Sequence, residues 1–141
     1  MLETMRHNMA DIAGYGAVGV LLMIIGFCVV DLITPGNLRH QVWVERNRNA
    51  TVLVASATAE VALIVIGAIN ARSGVLWEGI VETLVYTVIG LAILAISFFL
   101  IDILTPGDLG EMMVDEQWHP AVWVIAVVNI GTGLILATAV N

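Results

Sequence analysis

The chain contains no lysine and a single cysteine among its 141 residues, and only 12% of its residues are charged. A soluble domain carries about twice that share of charged residues. The single cysteine, Cys28, excludes an intrachain disulfide, and its place inside an apolar run indicates a small packing residue. The net charge of −7 argues against binding to nucleic acid and against anchoring by anionic lipid. We therefore expect no nucleic-acid partner and no redox role for the thiol.

Apolar residues make up 60% of the chain, more than a soluble domain of this size can bury. They are concentrated in long runs at about 12–33, 50–70, 80–104 and 121–140. A bilayer core of about 30 Å needs about 20 such residues in a helix, and a backbone in lipid must satisfy its own hydrogen bonds. The sequence therefore predicts an all-α, polytopic bundle of four transmembrane helices. Residues 1–141 would form one multi-pass domain in the cell (inner) membrane.

Two compositional features support a membrane bundle. The tryptophans lie at or near the ends of the predicted spans, where amphipathic rings prefer the headgroup region: Trp43, Trp77, Trp118 and Trp123. Small residues recur at a spacing of four, as at Gly133 and Ala137, and this spacing lets helix backbones approach closely. We expect tightly packed helices with tryptophan at the membrane surfaces.

The chain matches itself without a gap when its two halves are aligned. The segment Asp-Leu-Ile-Thr-Pro-Gly-Asn-Leu at 31–38 corresponds to Asp-Ile-Leu-Thr-Pro-Gly-Asp-Leu at 102–109. We interpret this as a tandem duplication, with repeat 1 at 11–70 and repeat 2 at 82–141. Each repeat has two spans, so both enter the membrane in the same direction and are related by a pseudo-two-fold axis along its normal. Both Thr-Pro-Gly loops then lie on one side of the membrane.

The Thr-Pro-Gly motif predicts a short interfacial helix after the first span of each repeat. Its residues are Asp31, Thr34, Pro35 and Gly36 in the first copy and Asp102, Thr105, Pro106 and Gly107 in the second. Proline suits the first position of a helix, so Thr34 and Thr105 are predicted N-caps. Asp31 and Asp102 end spans, where the helix dipole disfavours a negative charge. They need a partner, such as a threonine hydroxyl or a loop arginine, and either fix the turn or form a cation or proton site.

Glu60 is the candidate functional residue because it lies at the middle of the second span, where an ionised carboxylate is costly. Asn129 of the fourth span is a possible partner, and Gly131, at the matching position of repeat 2, is expected to leave a gap facing it. Two interpretations stay open. Glu60 is either an ion or proton site or a neutral acid that hydrogen-bonds across helices and specifies their packing.

Other chemistry has little support in the sequence. The chain has no phosphate loop, no nucleophile elbow, and no cysteine and histidine residues at metal-binding spacing. The acidic second loop, which includes Asp108 and Glu116, is interpreted as a solvated surface. We expect no enzyme activity, no cofactor and no metal site.

Two functions therefore remain. The first is an ion- or proton-linked channel or transporter unit; because four spans enclose little space, it would form a homo-oligomer in membrane lipid. The alternative is a scaffold or accessory subunit of a larger membrane complex, without transport.

Two motifs together resemble a known family. One is the span that ends in Asp31-Leu-Ile-Thr-Pro-Gly-Asn-Leu, and the other is Arg46-Asn47-Arg48-Asn49-Ala50 at the start of the second span. The chain resembles the family 350 of domains of unknown function, small bacterial and archaeal inner-membrane proteins with four spans in two repeats. The resemblance implies the membrane location and the fold, and it implies no activity. Repeat 2 departs from the asparagine-alanine opening of the family, because it has His119-Pro120-Ala121 there.

Overall fold

The computed structural model describes residues 2–34, 36–72, 74–107 and 109–140, and these residues form helices joined by short connections. The helices are α1 (Leu2–Ile33), α2 (Leu38–Trp43), α3 (Arg48–Asn70), α4 (Leu76–Leu104), α5 (Leu109–Val114) and α6 (Ala121–Ala139). Four of them, α1, α3, α4 and α6, are long and apolar enough to cross a membrane. The predicted all-α bundle of four membrane-spanning helices is confirmed.

The helix bounds differ most from the prediction at the start of α1. This helix begins at Leu2 rather than near residue 12, so its polar first turns extend beyond the apolar run. A helix need not end at the membrane surface, because water can solvate side chains along its polar continuation. α4 begins slightly before the predicted span, and Glu78 lies in its first turn, where the helix dipole favours an acidic side chain.

α3 is the central helix of the bundle. It contacts α1, α4 and α6 and also both short helices, α2 and α5. Over half of its apolar stretch is buried, 56%, against 22% for α1 and α4 and 28% for α6. The other three spans therefore direct most of their apolar surface outward to lipid, and a polar side chain on α3 is far more enclosed than one on its neighbours.

The contact between α3 and α6 is close enough to need small residues. A Cβ added to Gly67 of α3 would lie 2.5 Å from the Cα atom of Ala137 in α6. Gly133, one helical turn from Ala137, lies against Glu60 in the same way, with 3.0 Å to the Cα atom of Glu60. Small residues of this kind let helix backbones approach in membranes, where lipid removes most of the hydrophobic drive for helix association.

Glycines also set the packing of α1 and α4 on α3. Gly26 of α1 receives the side chain of Val61, and Gly90 of α4 receives the side chain of Ile64. Neither glycine could carry a methyl group without displacing its partner.

The order long helix, short helix, long helix occurs twice along the chain, as α1–α3 and as α4–α6. The packing of the two sets is nevertheless unequal. α3 packs against both α1 and α4, whereas α6 packs mainly against α3. The predicted tandem repeat stays an interpretation of the sequence, and the packing does not follow a simple two-fold arrangement.

The first Thr-Pro-Gly junction corrects one prediction. The N-cap of α2 is Asn37, whose side-chain oxygen accepts a hydrogen bond from the backbone N–H of His40 at 3.1 Å. Thr34 is therefore not the N-cap, and its own N–H donates to the carbonyl of Val30 and completes the last turn of α1. The physical reason is Gly36, whose φ of 102° turns the chain before α2 can begin.

At the second Thr-Pro-Gly junction, a glycine with a positive φ also delays the start of the short helix. Thr105 is the C-cap of α4, and its hydroxyl donates to the carbonyl of Ile101 at 2.7 Å. Gly107 has a φ of 118°, so the short helix α5 begins only after it, at Leu109. The prediction of Thr105 as an N-cap is wrong for this reason. Pro106 and Thr105 instead line a groove of about 240 Å³ between α4 and α6.

Two residues of the predicted motifs, Pro35 and Asp108, lie outside the described residues.

Candidate functional site

Glu60 lies near the middle of the 23-residue helix α3 and faces α6. Its side chain is 3% exposed, and its Oε1 atom is buried without a hydrogen-bond partner. Gly133 of α6 packs against this side chain, since a Cβ atom at that glycine would lie 3.2 Å from Cγ of Glu60. A carboxyl group is thus enclosed at the centre of the bundle with one oxygen unsatisfied.

The gap that was expected at Gly131 does not face Glu60. A Cβ added to Gly131 would meet nothing within 4 Å, whereas Gly133 is in contact with Glu60. Residues that match in the sequence repeat need not face each other where two helices cross. The register of this crossing is set by the fit of small residues, Gly67 against Ala137 among them.

Asn129 lies on the same α3–α6 interface, one helical turn from Gly133. Its side-chain Nδ2 donates to the hydroxyl of Ser56 at 3.1 Å, and that hydroxyl donates to the carbonyl of Leu53 at 2.9 Å. Ser56 and Asn129 are both 5% exposed. The structure therefore places Asn129 near Glu60 but pairs it with Ser56, the residue one turn before Glu60 on α3.

A small void lies next to Asn129, on the side of the interface that faces the Thr-Pro-Gly loops. Its volume is about 10 Å³, at the lower limit of the space that one water molecule needs. The polar groups at its wall are Thr34 and Asn129, and the remaining lining is apolar: Val30, Leu38, Leu53, Val54, Ala57 and Phe98. Thr34 thus borders the buried polar interior, although it does not cap α2.

The two motif aspartates have different partners. Oδ1 of Asp102 accepts a hydrogen bond from the backbone N–H of Leu109 at 3.2 Å, so this carboxylate holds the start of α5. Asp31 instead lies 3.9 Å from Nε of Arg39 through Oδ2, and its Oδ1 is buried without a hydrogen-bond partner. Because Arg39 is largely exposed, the ion pair contributes little stability. The geometry of Asp102 is that of a residue that fixes the turn.

The buried side chain of Asn49 joins the two halves of the chain, and sequence reasoning did not give it this role. Its Nδ2 lies 2.7 Å from the carbonyl oxygen of Gln117, 3.1 Å from that of Met112 and 3.3 Å from that of Asp115. Its Oδ1 accepts a hydrogen bond from the N–H of His119 at 3.2 Å. Asn49 is 1% exposed, so its own side of these four contacts is shielded from water. The asparagine-alanine opening of the second span was the available signal.

Asn47 supports the same junction. Its side-chain oxygen accepts hydrogen bonds from the N–H groups of Asn49 and Ala50 and so caps the start of α3. Its Nδ2 donates to the carbonyl of Asp115 at 3.1 Å. The loop before α6 is therefore fastened to the start of α3. Both Thr-Pro-Gly loops lie at this end of the bundle, as the topology predicts.

The carboxylate of Asp115 is stabilised within this loop. The backbone N–H of Gln117 donates to its Oδ1 at 2.9 Å, and its Oδ2 lies 2.9 Å from Nε2 of His119. The backbone hydrogen bond, followed by the one from His119, lowers the pKa of Asp115 below its usual value of 3.8. The acidic loop is thus ordered locally.

The opposite end of the bundle is held by an aromatic contact. The guanidinium carbon of Arg72 lies 3.8 Å from the centre of the Tyr15 ring, and the Tyr15 hydroxyl donates to the carbonyl of Leu76 at 3.5 Å. Tyr15 is buried, so α1 is joined here to the connection between α3 and α4.

Comparison with known proteins identifies the family. The family described as Domain of Unknown Function (DUF350) matches residues 4–140. The chain belongs to this family. It is 32% identical over 127 residues to a UPF0719 transmembrane protein of Mycolicibacterium paratuberculosis (strain ATCC BAA-968 / K-10), covering 90% of this chain and 84% of that protein. It is also 32% identical over 140 residues to a UPF0719 transmembrane protein of Mycobacterium bovis (strain ATCC BAA-935 / AF2122/97), covering 99% and 92%.

Membership of DUF350 confirms the resemblance drawn from the two motifs. The relatives are named as transmembrane proteins, and the structure has four helices that can cross a membrane. The DUF350 chain is therefore a multi-pass membrane protein. No solved structure matches it. Neither the family description nor the names of the relatives state an activity.

Proposed function

We propose that this DUF350 protein is a proton-linked channel or transporter unit of the cell (inner) membrane, in which Glu60 takes up and releases the proton. The observation that carries the proposal is the buried Oε1 atom of Glu60, which has no hydrogen-bond partner at the middle of a membrane-spanning helix. Buried polar groups are normally satisfied, and ionisable residues inside spans commonly mark ion or proton pathways.

The chemistry of the site favours a proton over a metal cation. A calcium ion needs six to eight oxygen ligands, and magnesium needs six in octahedral geometry. Within the described part of the chain, no group of three or more histidine, cysteine, aspartate or glutamate side chains is arranged to hold a metal ion. The polar groups near Glu60 are Ser56 and Asn129, which already bond to each other. A lone carboxyl group can bind a proton with no further ligand.

The polar groups of the interface support access from the Thr-Pro-Gly side. Ser56 lies about 12 Å along α3 from Arg48, and Glu60 lies about 18 Å along it, at 1.5 Å per residue. The small void between Thr34 and Asn129 leads to the Ser56–Asn129 pair from that side. A proton entering there would pass the void and the pair before it reaches Glu60.

The site as described is closed, so transport needs a movement that admits water. α6 is the element placed to provide it, because it packs mainly against α3 and its Gly133 covers Glu60. A displacement of α6 would uncover the carboxyl group. Four spans enclose little space, so we further propose that a second copy of the chain completes the pathway beside α6.

A second candidate function is a scaffold or accessory subunit without transport. The observation in its favour is the close packing of α6 on α3 around Glu60, at Gly133 and at the Gly67–Ala137 contact. The cavities described above are not lined by Glu60. In this alternative the glutamate stays neutral and specifies how α3 and α6 fit together.

Proton flux into liposomes separates the two candidates. Purified wild-type protein, Glu60→Gln and Glu116→Gln would be reconstituted at equal density and assayed with an internal pH-sensitive dye under a potassium diffusion potential. Glu116 is exposed, so its substitution is a matched control on the surface. The transport proposal predicts flux in the wild type and in Glu116→Gln and at least a tenfold loss in Glu60→Gln. Absence of flux from folded wild-type protein would favour the scaffold. Equal flux from all three proteins would show transport that does not use Glu60 and would contradict the proposed role of this residue.

A further inference from the structure

The segment Arg46-Asn47-Arg48-Asn49 alternates in the direction of its side chains. Asn47 caps α3 and Asn49 is buried against the loop before α6, so both asparagines are directed into the protein. Arg46 and Arg48 are exposed on the other side of the same segment. Arg46 has a φ of 54°, a left-handed conformation that non-glycine residues seldom adopt. The anchored asparagines thus fix where the two arginines lie.

The two arginines line a groove of about 430 Å³ at the ends of two spans. The other residues of this groove come from the first turns of α3 and from the start of α6: Thr51, Val52, Trp118 and Trp123. Because α3 begins at Arg48 and α6 at Ala121, the groove lies at the membrane boundary. Its charged end is at the surface, and its apolar end, at Val52 and Trp123, extends toward the hydrocarbon.

The carboxylates that the structure describes do not pair with the positive charge of the groove. In the part of the chain that the structure describes, the ion pairs involve Arg39 and the histidines, and neither Arg46 nor Arg48 has a carboxylate within 4.0 Å. The guanidinium carbon of Arg48 lies 6.0 Å from the centre of the Trp118 ring. Trp118 in turn meets the edge of Trp123, with ring centres 6.3 Å apart. The groove therefore combines two guanidinium groups with an aromatic wall.

We infer that this groove binds the phosphate headgroup of an anionic phospholipid, with Arg46 and Arg48 on the phosphate and an acyl chain along Val52 and Trp123. Guanidinium groups recognise phosphate through paired N–H donors, and tryptophan prefers the headgroup level. An anionic lipid fits better than a zwitterionic one, because the latter brings a cation of its own toward the two arginines. The chain as a whole carries a charge of −7, so such binding would be local to this groove.

Quenching of tryptophan fluorescence by brominated lipid tests the inference. Replacing Trp43 and Trp77 with phenylalanine leaves Trp118 and Trp123, both in the groove, as the only tryptophans. This protein would be titrated in nanodiscs with brominated phosphatidylglycerol or brominated phosphatidylcholine. The inference predicts quenching at lower mole fractions of phosphatidylglycerol. Near an anionic surface each arginine strengthens binding by roughly fivefold.

Variants that remove equal charge inside and outside the groove show whether the arginines of the groove cause the preference for phosphatidylglycerol. Arg46→Gln and Arg48→Gln, singly and together, should reduce the preference for phosphatidylglycerol, and the double variant should abolish it. Arg6→Gln with Arg39→Gln removes the same charge outside the groove and should leave the preference intact. If the double groove variant does not fold, the single variants decide.

Two results would overturn the inference. One is a preference for phosphatidylglycerol that survives both single substitutions, or quenching of the wild type that shows no such preference. The other is equal quenching by the two brominated lipids while inorganic phosphate, but not sodium chloride of equal ionic strength, changes the tryptophan fluorescence of the wild type and not of the double variant, which would identify a site for a free anion. Failure of the flux assay bears on neither outcome, since Glu60 does not line this groove.

Discussion

Gly133 of α6 lies directly against Glu60 of α3: a Cβ atom at this glycine would be 3.0 Å from Cα and 3.2 Å from Cγ of the glutamate. The absence of a side chain at one residue therefore lets the other be enclosed. Because Glu60 is also nine-tenths or more buried and has an unsatisfied oxygen, any change at Gly133 acts on the packing and on the carboxyl group together.

Replacing Gly133 with valine should destabilise the bundle by about 1–3 kcal/mol, because the added methyl groups must displace Glu60 or α6. The matched control is Gly131→Val on the same helix, where a Cβ meets nothing within 4 Å. The free energy of unfolding, measured by titration with a denaturing detergent, should fall only for the Gly133 variant. Equal losses for both variants would contradict the described register of α3 and α6.

The hydrogen bond from Asn129 to Ser56 should couple α3 and α6 by about 0.6 kcal/mol, the average for such bonds between membrane helices. The measurement is a double-mutant cycle of Ser56→Ala and Asn129→Ala, with unfolding free energies for the wild type and for each variant. A matched cycle of Ser56→Ala with Thr132→Ala, whose hydroxyl bonds within α6, should show no coupling. Zero coupling in the first cycle would show that the two residues do not interact.

The fold could be predicted because span length and apolar content report directly on lipid exposure. The central place of α3 could not, since all four spans are predominantly apolar and their periodicity does not say which one is enclosed. The prediction of Thr34 and Thr105 as N-caps was wrong for a local reason. The motif shows Thr34 and Pro35 in a favourable order, but the backbone turn at Gly36 delays the next helix to Leu38, after Asn37.

The candidate site was only partly predictable. Glu60 stands out because it is the one charge within its apolar run, and Asn129 was found through the repeat. The contact with Gly133 depends on how two helices cross, which the sequence does not specify. Asn49 was noticed only as part of a family motif, because its partners are backbone carbonyls, and backbone groups have no signature in the sequence.

Asn49→Ala should loosen the loop before α6 and lower the unfolding free energy by about 2 kcal/mol, since several partly buried backbone groups would lose their partner. Limited proteolysis in detergent should show earlier cleavage within 112–119. Asn37→Ala is the control: it removes an exposed helix cap and should cost about 1 kcal/mol without exposing that loop. Unchanged proteolysis of Asn49→Ala would contradict its role as the fastening of the loop.

The stabilising effect of Asp115 should decrease as the pH is lowered. Its pKa is lowered in the folded protein by the N–H of Gln117 and by His119, so the ionised form favours the fold. This stability is present above the usual pKa of 3.8 and is lost as the pH falls through the lower folded-state value. The difference in unfolding free energy between wild type and Asp115→Asn should therefore vanish in acid. It should be small, because the carboxylate is exposed, and a difference independent of pH would contradict the assignment.

Infrared spectroscopy of the Glu60 carboxyl group in lipid tests most directly whether this residue takes up and releases a proton. The C=O stretch of a protonated carboxyl group would be followed in wild type, Glu60→Gln and Glu116→Gln as the pH is raised and lowered. If Glu60 binds and releases a proton, a band in wild type and in Glu116→Gln should lose intensity reversibly as the pH rises, and it should be missing from Glu60→Gln. A Glu60 band that stays constant over the whole pH range in which the protein is folded would show a permanently neutral packing residue and contradict the account.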